Sequence, residues 1–327
     1  MSKRYKREQQ STTVTLKPGL VIATHGATVE VEDDKKHLHP CISRKKVGVA
    51  VCGDHVKWHA EPKQTGLIHE ILPRTNLLVR PDARNKLKPI ASNIDYLCIT
   101  LAPTPTAIDD NETTLNQTEN ISLFDYHAID RYIVAAEASR IQALIIINKV
   151  DLLNETMLAD IQSKLDHYDK LNYHYVLTSP KTNLGIKTLY RFIQNRTCVF
   201  VGQSGVGKSS LIRCFVDDDD ISIGSISKVT GQGRHTTTAT RMYHLQNGGH
   251  IIDSPGVREF GLWNIEADEI MHTFREFTPY IGSCKFNNCM HTSEPGCAVK
   301  AALHEKKIRA ERYDAYLKIL ASLNDPR

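Results

Sequence analysis

No apolar run in this sequence approaches the roughly 20 residues that a membrane-spanning helix needs. The longest, such as Ala143–Ile147, is only a fraction of that. Behind the basic residues Lys3, Arg4, Lys6 and Arg7 there is no apolar stretch of the kind a signal peptide requires, so the expectation is a soluble cytoplasmic chain with no membrane partner. Charge of one sign is also scarce: 41 Lys and Arg against 37 Asp and Glu leave a net +4, too mild to imply nucleic acid alone. A disulfide framework is missing as well. Of the eight cysteines, Cys41, Cys52, Cys98, Cys198 and Cys214 are scattered in apolar or strand-like surroundings and read as reduced core residues.

What is there is enough chain, 327 residues, for about two domains, or three if one is small. Residues 1–12 read as a disordered basic tail. From 13 to 85, short β-rich stretches alternate with turn residues: Leu20–Ile22, Val29–Val31, Val47–Val51, Val56–Trp58, Gly66–Leu72 and Leu77–Val79. That many strands in so few residues predict a small barrel, of the oligonucleotide-binding (OB) type or another. Pro81–Pro89 is polar and basic and reads as a linker.

Beyond it, Ile94–Leu101, Ala143–Asn148, Tyr173–Thr178 and Cys198–Val201 are apolar strands. They alternate with helices at Tyr126–Ser139, Glu155–Tyr168 and Leu184–Ile193. Such alternation predicts a mainly parallel sheet covered on both faces. Residues 109–120 and 217–240 read as loops, and two more strands are expected near 240–246 and 250–253. The apolar positions Val299, Leu303, Ala310, Tyr313, Leu317 and Leu320 predict one terminal amphipathic helix.

Gly202-Gln203-Ser204-Gly205-Val206-Gly207-Lys208-Ser209 satisfies G-x-x-x-x-G-K-[ST], set between an apolar strand and the helical stretch Ser209–Phe215 that continues through Ser210. Glycines let successive backbone N–H groups turn inward around phosphate oxygens at a helix N-terminus. Lys208 then adds charge at the outer phosphates, and the Ser209 hydroxyl ligates Mg²⁺.

Asn148-Lys149-Val150-Asp151 closes another apolar strand and resembles the guanine-specificity motif N-K-x-D. A carboxylate at Asp151 can accept both the N1–H and the exocyclic amine of guanine, and adenine would leave it unpaired. By analogy Asn148 bonds the base edge and the Lys149 stem covers its face. Asp253-Ser254-Pro255-Gly256 matches the switch D-x-x-G. The order is inverted relative to ordinary GTPases, because the base motif precedes the phosphate loop, as in a circular permutation.

Together with Gly53-Asp54, Leu77–Pro81, Gly233-Arg234-His235-Thr236-Thr237-Thr238 and Asp253–Trp263, these features resemble the RsgA (YjeQ) family of small ribosomal subunit biogenesis GTPases. The resemblance implies a multidomain α/β protein: an OB-fold barrel (13–85), a circularly permuted P-loop GTPase (86–265) and a zinc-binding, α-rich C-terminal domain (266–327). It implies GTP hydrolysis stimulated by the 30S subunit during late maturation, with 16S rRNA, GTP and GDP as partners. Separately, the expectation is a monomer.

Ser179-Pro180 stands where the family has a base-contacting Ser-Ala pair. Asp253 is expected to hold Mg²⁺ through water, Thr237 to complete its shell, and the Gly256 N–H to sense the γ-phosphate. Val257 occupies the position of a water-orienting Gln in many GTPases and cannot do that work. By the resemblance His235 is the candidate instead; the other reading is a plain switch-loop or RNA-contacting histidine.

Cys284, Cys289, His291 and Cys297 offer three thiolates and one imidazole within a short polar segment. That is a closed structural zinc set, one that supplies folding energy to a region with little core. Two other functions compete with an RNA-stimulated GTPase: an RNA-binding scaffold gated by GTP with negligible hydrolysis, and a P-loop ATPase or kinase.

Overall fold

The computed structural model describes residues 15–60, 65–81, 86–105, 121–122, 125–216, 240–254 and 265–323. The expectations for the tail 1–12, the loop 109–120, the segment 217–239 and residues 255–264 therefore fall outside the described residues in whole or in part.

Five strands form a closed barrel: β1 (Lys17–His25), β2 (Thr28–Glu32), β3 (Leu38–Ser43), β4 (His55–His59) and β5 (Gly66–Ile71), in the order β1-β2-β3-β5-β4 with β1 also pairing β4. Val21, Val29, Val31, Val56, Trp58 and Ile68 fill its interior. Gly19 is required by close approach, since a Cβ there would lie 2.4 Å from Val31 Cγ1 and 2.7 Å from Trp58 Nε1.

The expected strand Val47–Val51 is absent. Gly48 turns the chain at φ 95°, Val49 is 64% exposed, and the Val51 N–H donates to the Asp54 carboxylate at 2.8 Å instead of to a neighbouring strand. Strand β3 takes its place and escapes sequence reading because Pro40 interrupts it. Pro40 is tolerated because β3 meets β5 only from Cys41 onward, so the missing N–H falls on an unpaired edge.

The stretch expected to be a linker ends in structure. β6 (Leu77–Pro81) and β7 (Leu87–Ser92) form an antiparallel hairpin, with Pro89 where the register shifts. The hairpin is tied to the barrel through Asp54, whose carboxylate is fully buried. It accepts from Ser92 Oγ at 2.6 Å and from Arg74 Nε and Nη2 at 2.7 Å each.

β8 (Tyr96–Leu101) begins the second part. β9 (Thr104–Pro105) and β10 (Ile121–Ser122) pair with each other, and α1 (Tyr126–Ala138) follows. Then come β11 (Gln142–Ile147), α2 (Glu155–Lys170), β12 (Tyr175–Leu177), α3 (Ile186–Ile193), β13 (Thr197–Val201), α4 (Lys208–Arg213), β14 (Thr240–His244) and β15 (His250–Asp253). The sheet runs β12-β11-β8-β13-β15-β14, all parallel except β14.

Both faces are covered, as the unbroken apolar strands require. Ala143, Ile145 and Ile147 join one core with α1 and α2, while Leu144 and Ile146 join the other with α3 and α4. Helix starts are set by side chains: Asp125 accepts from the His127 N–H and Asn154 from the Met157 N–H, both at 2.9 Å. Strand β14 also pairs β1, so barrel and central sheet form one hydrogen-bonded sheet.

The C-terminal part has two short 3-10 turns at Ile270–Thr273 and Arg275–Phe277, then α5 (Ala298–His304) and α6 (Ala310–Leu323). The single terminal helix is thus broken in two. Lys306 adopts φ 58°, and the Lys307 and Ile308 N–H groups fold back onto the Ala302 carbonyl at 2.9 and 3.3 Å.

This part is clamped to α1 and α2. The Arg312 guanidinium, 1% exposed, pairs with Asp130 and, at 2.6 Å, with Glu276; it lies 4.5 Å over the Phe274 ring. Arg275 donates to the Leu171 and Asn172 carbonyls at 2.9 and 3.1 Å, pairs with Glu137 at 2.7 Å, and covers the Tyr173 ring.

Candidate functional site

Strands β11, β13 and β15 lead into three loops at the carboxyl edge of one sheet, where open α/β folds bind ligands. The turn from β13 into α4 carries the phosphate motif. Gly202, Gly205 and Gly207 have φ of 135°, 83° and 94°. Their lack of a side chain is also steric: a Cβ on Gly202 would sit 2.0 Å from the Thr100 carbonyl oxygen, and one on Gly207 2.3 Å from Asn148 Nδ2. Lys208 Nζ donates to the Gly202 and Gln203 carbonyls, each at 2.6 Å, which holds the ammonium on the loop. Gln203, Ser204 and Gly205 are exposed along the turn, Val206 is buried beneath it, and Ser209 and Ser210 lie in the first turn of α4.

The base motif meets this loop directly. Asn148 Nδ2 donates to the Val206 carbonyl at 2.9 Å and Lys149 Nζ to the Gly205 carbonyl at 2.7 Å. The other end of the Asn148 amide accepts from Thr178 Oγ1 at 3.1 Å, and the residue is 1% exposed. One of the two Nδ2 hydrogens and one Oδ1 lone pair are engaged in this way, so Asn148 braces two loops.

Asp151 is exposed as a residue, but its side chain is only 13% exposed. Ser179 Oγ donates to its Oδ1 at 2.7 Å, and Lys181 Nζ lies 3.7 Å from its Oδ2. Ser179 is thereby placed beside the carboxylate through its side chain, and the backbone N–H that Pro180 lacks plays no part. Thr178 and Lys181 went unnoticed in the sequence, where each is an ordinary polar residue at a strand end.

Asp253 closes β15, one residue beyond the Val199–Ile252 register pair, on the same edge as the phosphate loop. The following Ser254 accepts from Thr240 Oγ1 at 2.9 Å. His235, Thr237, Gly256 and Val257 lie outside the described residues.

The four zinc-spaced residues converge, their ligand atoms all within 4.8 Å of one another. His291 Nδ1 is 3.5 Å from Cys284 Sγ, 3.5 Å from Cys289 Sγ and 3.4 Å from Cys297 Sγ, and Cys284 and Cys297 sulfurs are 4.0 Å apart. A tetrahedral ion with metal–sulfur bonds of about 2.3 Å and metal–nitrogen bonds of about 2.0–2.1 Å spans edges of about 3.5 and 3.8 Å. The donor set therefore fits a metal ion.

Local folding sets this up. Cys297 caps α5, the Ala298 N–H points at Cys284 Sγ at 3.3 Å and the Lys300 N–H at Cys297 Sγ at 3.5 Å. The Tyr313 hydroxyl donates to the His291 carbonyl at 2.6 Å, fixing the loop against α6. Burial pushes the Cys289 thiol up to about 12.

Comparison with known proteins agrees with this geometry. The model of the RsgA GTPase family matches residues 71–263. The chain is 41% identical over 310 residues to "Small ribosomal subunit biogenesis GTPase RsgA 1" of Vibrio vulnificus, covering 93% of this chain and 83% of that protein. It is 41% identical over 311 residues to the RsgA of Dickeya dadantii, covering 93% and 84%. Among solved structures, YjeQ from Thermotoga maritima superposes with a TM-score of 0.72 at 29% identity, covering 96% of this chain and all of that one. YloQ, described as a circularly permuted GTPase, superposes with a TM-score of 0.70 at 29% identity, covering 99% and 100%.

Proposed function

The chain belongs to the RsgA family of GTPases, and from that premise we propose that it hydrolyses GTP to GDP and phosphate as a late assembly factor on the 30S ribosomal subunit. The supporting observation is the pair of bonds from Asn148 and Lys149 to the carbonyls of Val206 and Gly205, which brings the two permuted motifs together.

In this reading Asp151, oriented by Ser179, accepts the guanine N1–H and amine, and the Lys149 stem covers the base. Backbone N–H groups from Gly202 to Ser210 cradle the phosphates, and Lys208 exchanges its loop carbonyls for phosphate oxygens. Ser209, Thr237 and Asp253 would hold Mg²⁺, which neutralises charge developing on the transferred phosphoryl group. Gly256 senses the γ-phosphate and His235 orients the attacking water.

Zinc would be held by Cys284, Cys289, His291 and Cys297 in a structural role, since the protein supplies all four ligands. The barrel is of the OB type, its closed order β1-β2-β3-β5-β4 supporting that assignment and a contact with 16S rRNA. Segments 13–85, 86–265 and 266–327 serve as barrel, GTPase and zinc domain. The protein acts as a monomer in the cytoplasm, and among the described residues no helix is long and apolar enough to cross a membrane.

Phosphate release from GTP and from ATP, each with and without purified 30S subunits, tests the proposal. Release from GTP alone, raised by the subunit, is expected. Nucleotide-dependent subunit binding without release would mean a gated scaffold, and a preference for ATP would overturn the guanine assignment.

A further inference from the structure

Strand β14 has an unusual station. On one edge it pairs with β1 of the barrel, Thr240 opposite Thr24 and Arg241 opposite Ala23. On the other edge it pairs with β15, and that ladder ends at Arg241 opposite Asp253. One step past its end the connection is made by side chains: Thr240 Oγ1 donates to Ser254 Oγ at 2.9 Å. Both residues are buried, at 5% and 4% exposure.

Two hydroxyls in a dry site cost desolvation that a pair of small apolar side chains would avoid, and what they add is direction. The bond sets where the backbone after Asp253 begins. Because β14 is backed by the barrel on its far edge, the donor has a fixed support.

We propose that Thr240 is a positioning residue for GTP hydrolysis, holding the Asp253–Ser254 backbone so that the Asp253 carboxylate meets the metal in register. It touches neither nucleotide nor metal itself. The inference rests on the GTPase reading above and on the role given there to Asp253.

The test uses the full chain with 30S subunits and compares Thr240→Val, which keeps shape and deletes the hydroxyl, with Thr240→Ser, which keeps the hydroxyl. Thr240→Val is expected to lower kcat by about tenfold with KM for GTP unchanged within about twofold, and to raise the Mg²⁺ concentration giving half-maximal rate. Thr240→Ser is expected to restore kcat to within about twofold of the parent.

A Thr240→Val enzyme within about threefold of the parent in kcat overturns the proposal, as does a loss shared equally by kcat, KM and melting temperature that Thr240→Ser does not rescue. Should Thr240→Val fail to fold, Ser254→Ala removes the acceptor from the other side and must show the same split. A parent chain with no GTP turnover would instead signal failure of the GTPase reading.

Discussion

Asn148 Nδ2 donates a 2.9 Å hydrogen bond to the carbonyl of Val206, a residue 58 positions later in the chain. The bond joins the turn after β11 to the turn between β13 and α4, the two loops to which the base and the phosphates are assigned in the proposal above.

Breaking that brace is expected to cost more than a surface amide would. Asn148→Ala takes the side-chain donor from the Val206 carbonyl and leaves the buried Thr178 hydroxyl only its longer, 3.4 Å bond to the Ile147 carbonyl, a loss of about 1–3 kcal/mol. Gly207→Ala attacks the same contact, adding a Cβ 2.3 Å from Asn148 Nδ2 at φ 94°. Both variants should show weaker binding of a fluorescent GTP analogue and a lower melting temperature, the glycine variant the more severely.

Asp151 can be tested through its donor pattern. Asp151→Asn replaces an acceptor of two guanine donors with a group that donates on one side, and GTP affinity should fall about tenfold to a hundredfold. Xanthosine triphosphate, which carries a carbonyl in place of the amine, should gain affinity. Competition binding with both nucleotides checks this, and an equal loss for both would remove Asp151 from the base site.

Arg312 anchors the C-terminal part on the central domain. Arg312→Met leaves Asp130 and Glu276 buried without their cation and is expected to cost about 3–5 kcal/mol, read as the denaturation midpoint in urea. A triple change that also makes Asp130 and Glu276 apolar should recover much of the loss.

Removal of metal should loosen the same region. A chelator takes the ion away and Cys289→Ser takes one of its four converging ligands; either should expose the apolar cluster around Phe274, Phe277 and Tyr316 to a hydrophobic dye. Native mass spectrometry is expected to find one zinc per chain before treatment and none after.

His250 gives a pH dependence with a definite sign. Burial first, and then the neighbouring His244, lower its pKa to about 4; Lys36 and His55 also oppose its charge, while Glu32 favours it. The unfolded chain therefore binds the proton more readily than the folded one between about pH 6.5 and 4. His250 supports the fold above that window, and the contribution is lost as pH falls through it. Thermal melts from pH 7 to 4 should show this decline, and His250→Asn should flatten it.

Much of the central sheet was legible because β8, β11 and β13 are continuous apolar runs between amphipathic helices, a pattern few folds satisfy. The glycine-rich loop and the Cys/His cluster were legible for a related reason, as each sits in consecutive or closely spaced residues. The barrel was harder. Pro40 hid β3, Pro89 hid β7, and the apolar stretch Val47–Val51 suggested a strand that Gly48 and the Asp54 carboxylate prevent.

The terminal helix was misjudged because periodicity continues across a break made by backbone conformation at Lys306. Contacts such as Arg312 with Asp130, 182 residues apart, leave no local trace at all.

By itself, the order of residues determined which groups this protein possesses and which chemistry they can perform, since backbone cradles, carboxylates and thiols act through short-range geometry that neighbouring positions encode. Only the tertiary structure decided who meets whom: that Asn148 turns inward to the phosphate loop, that β14 joins barrel to central sheet, and that α6 rests on α1 and α2. The physical reason is that such meetings are chosen by the packing of whole faces and the pairing of buried polar groups, which depend on the entire chain at once.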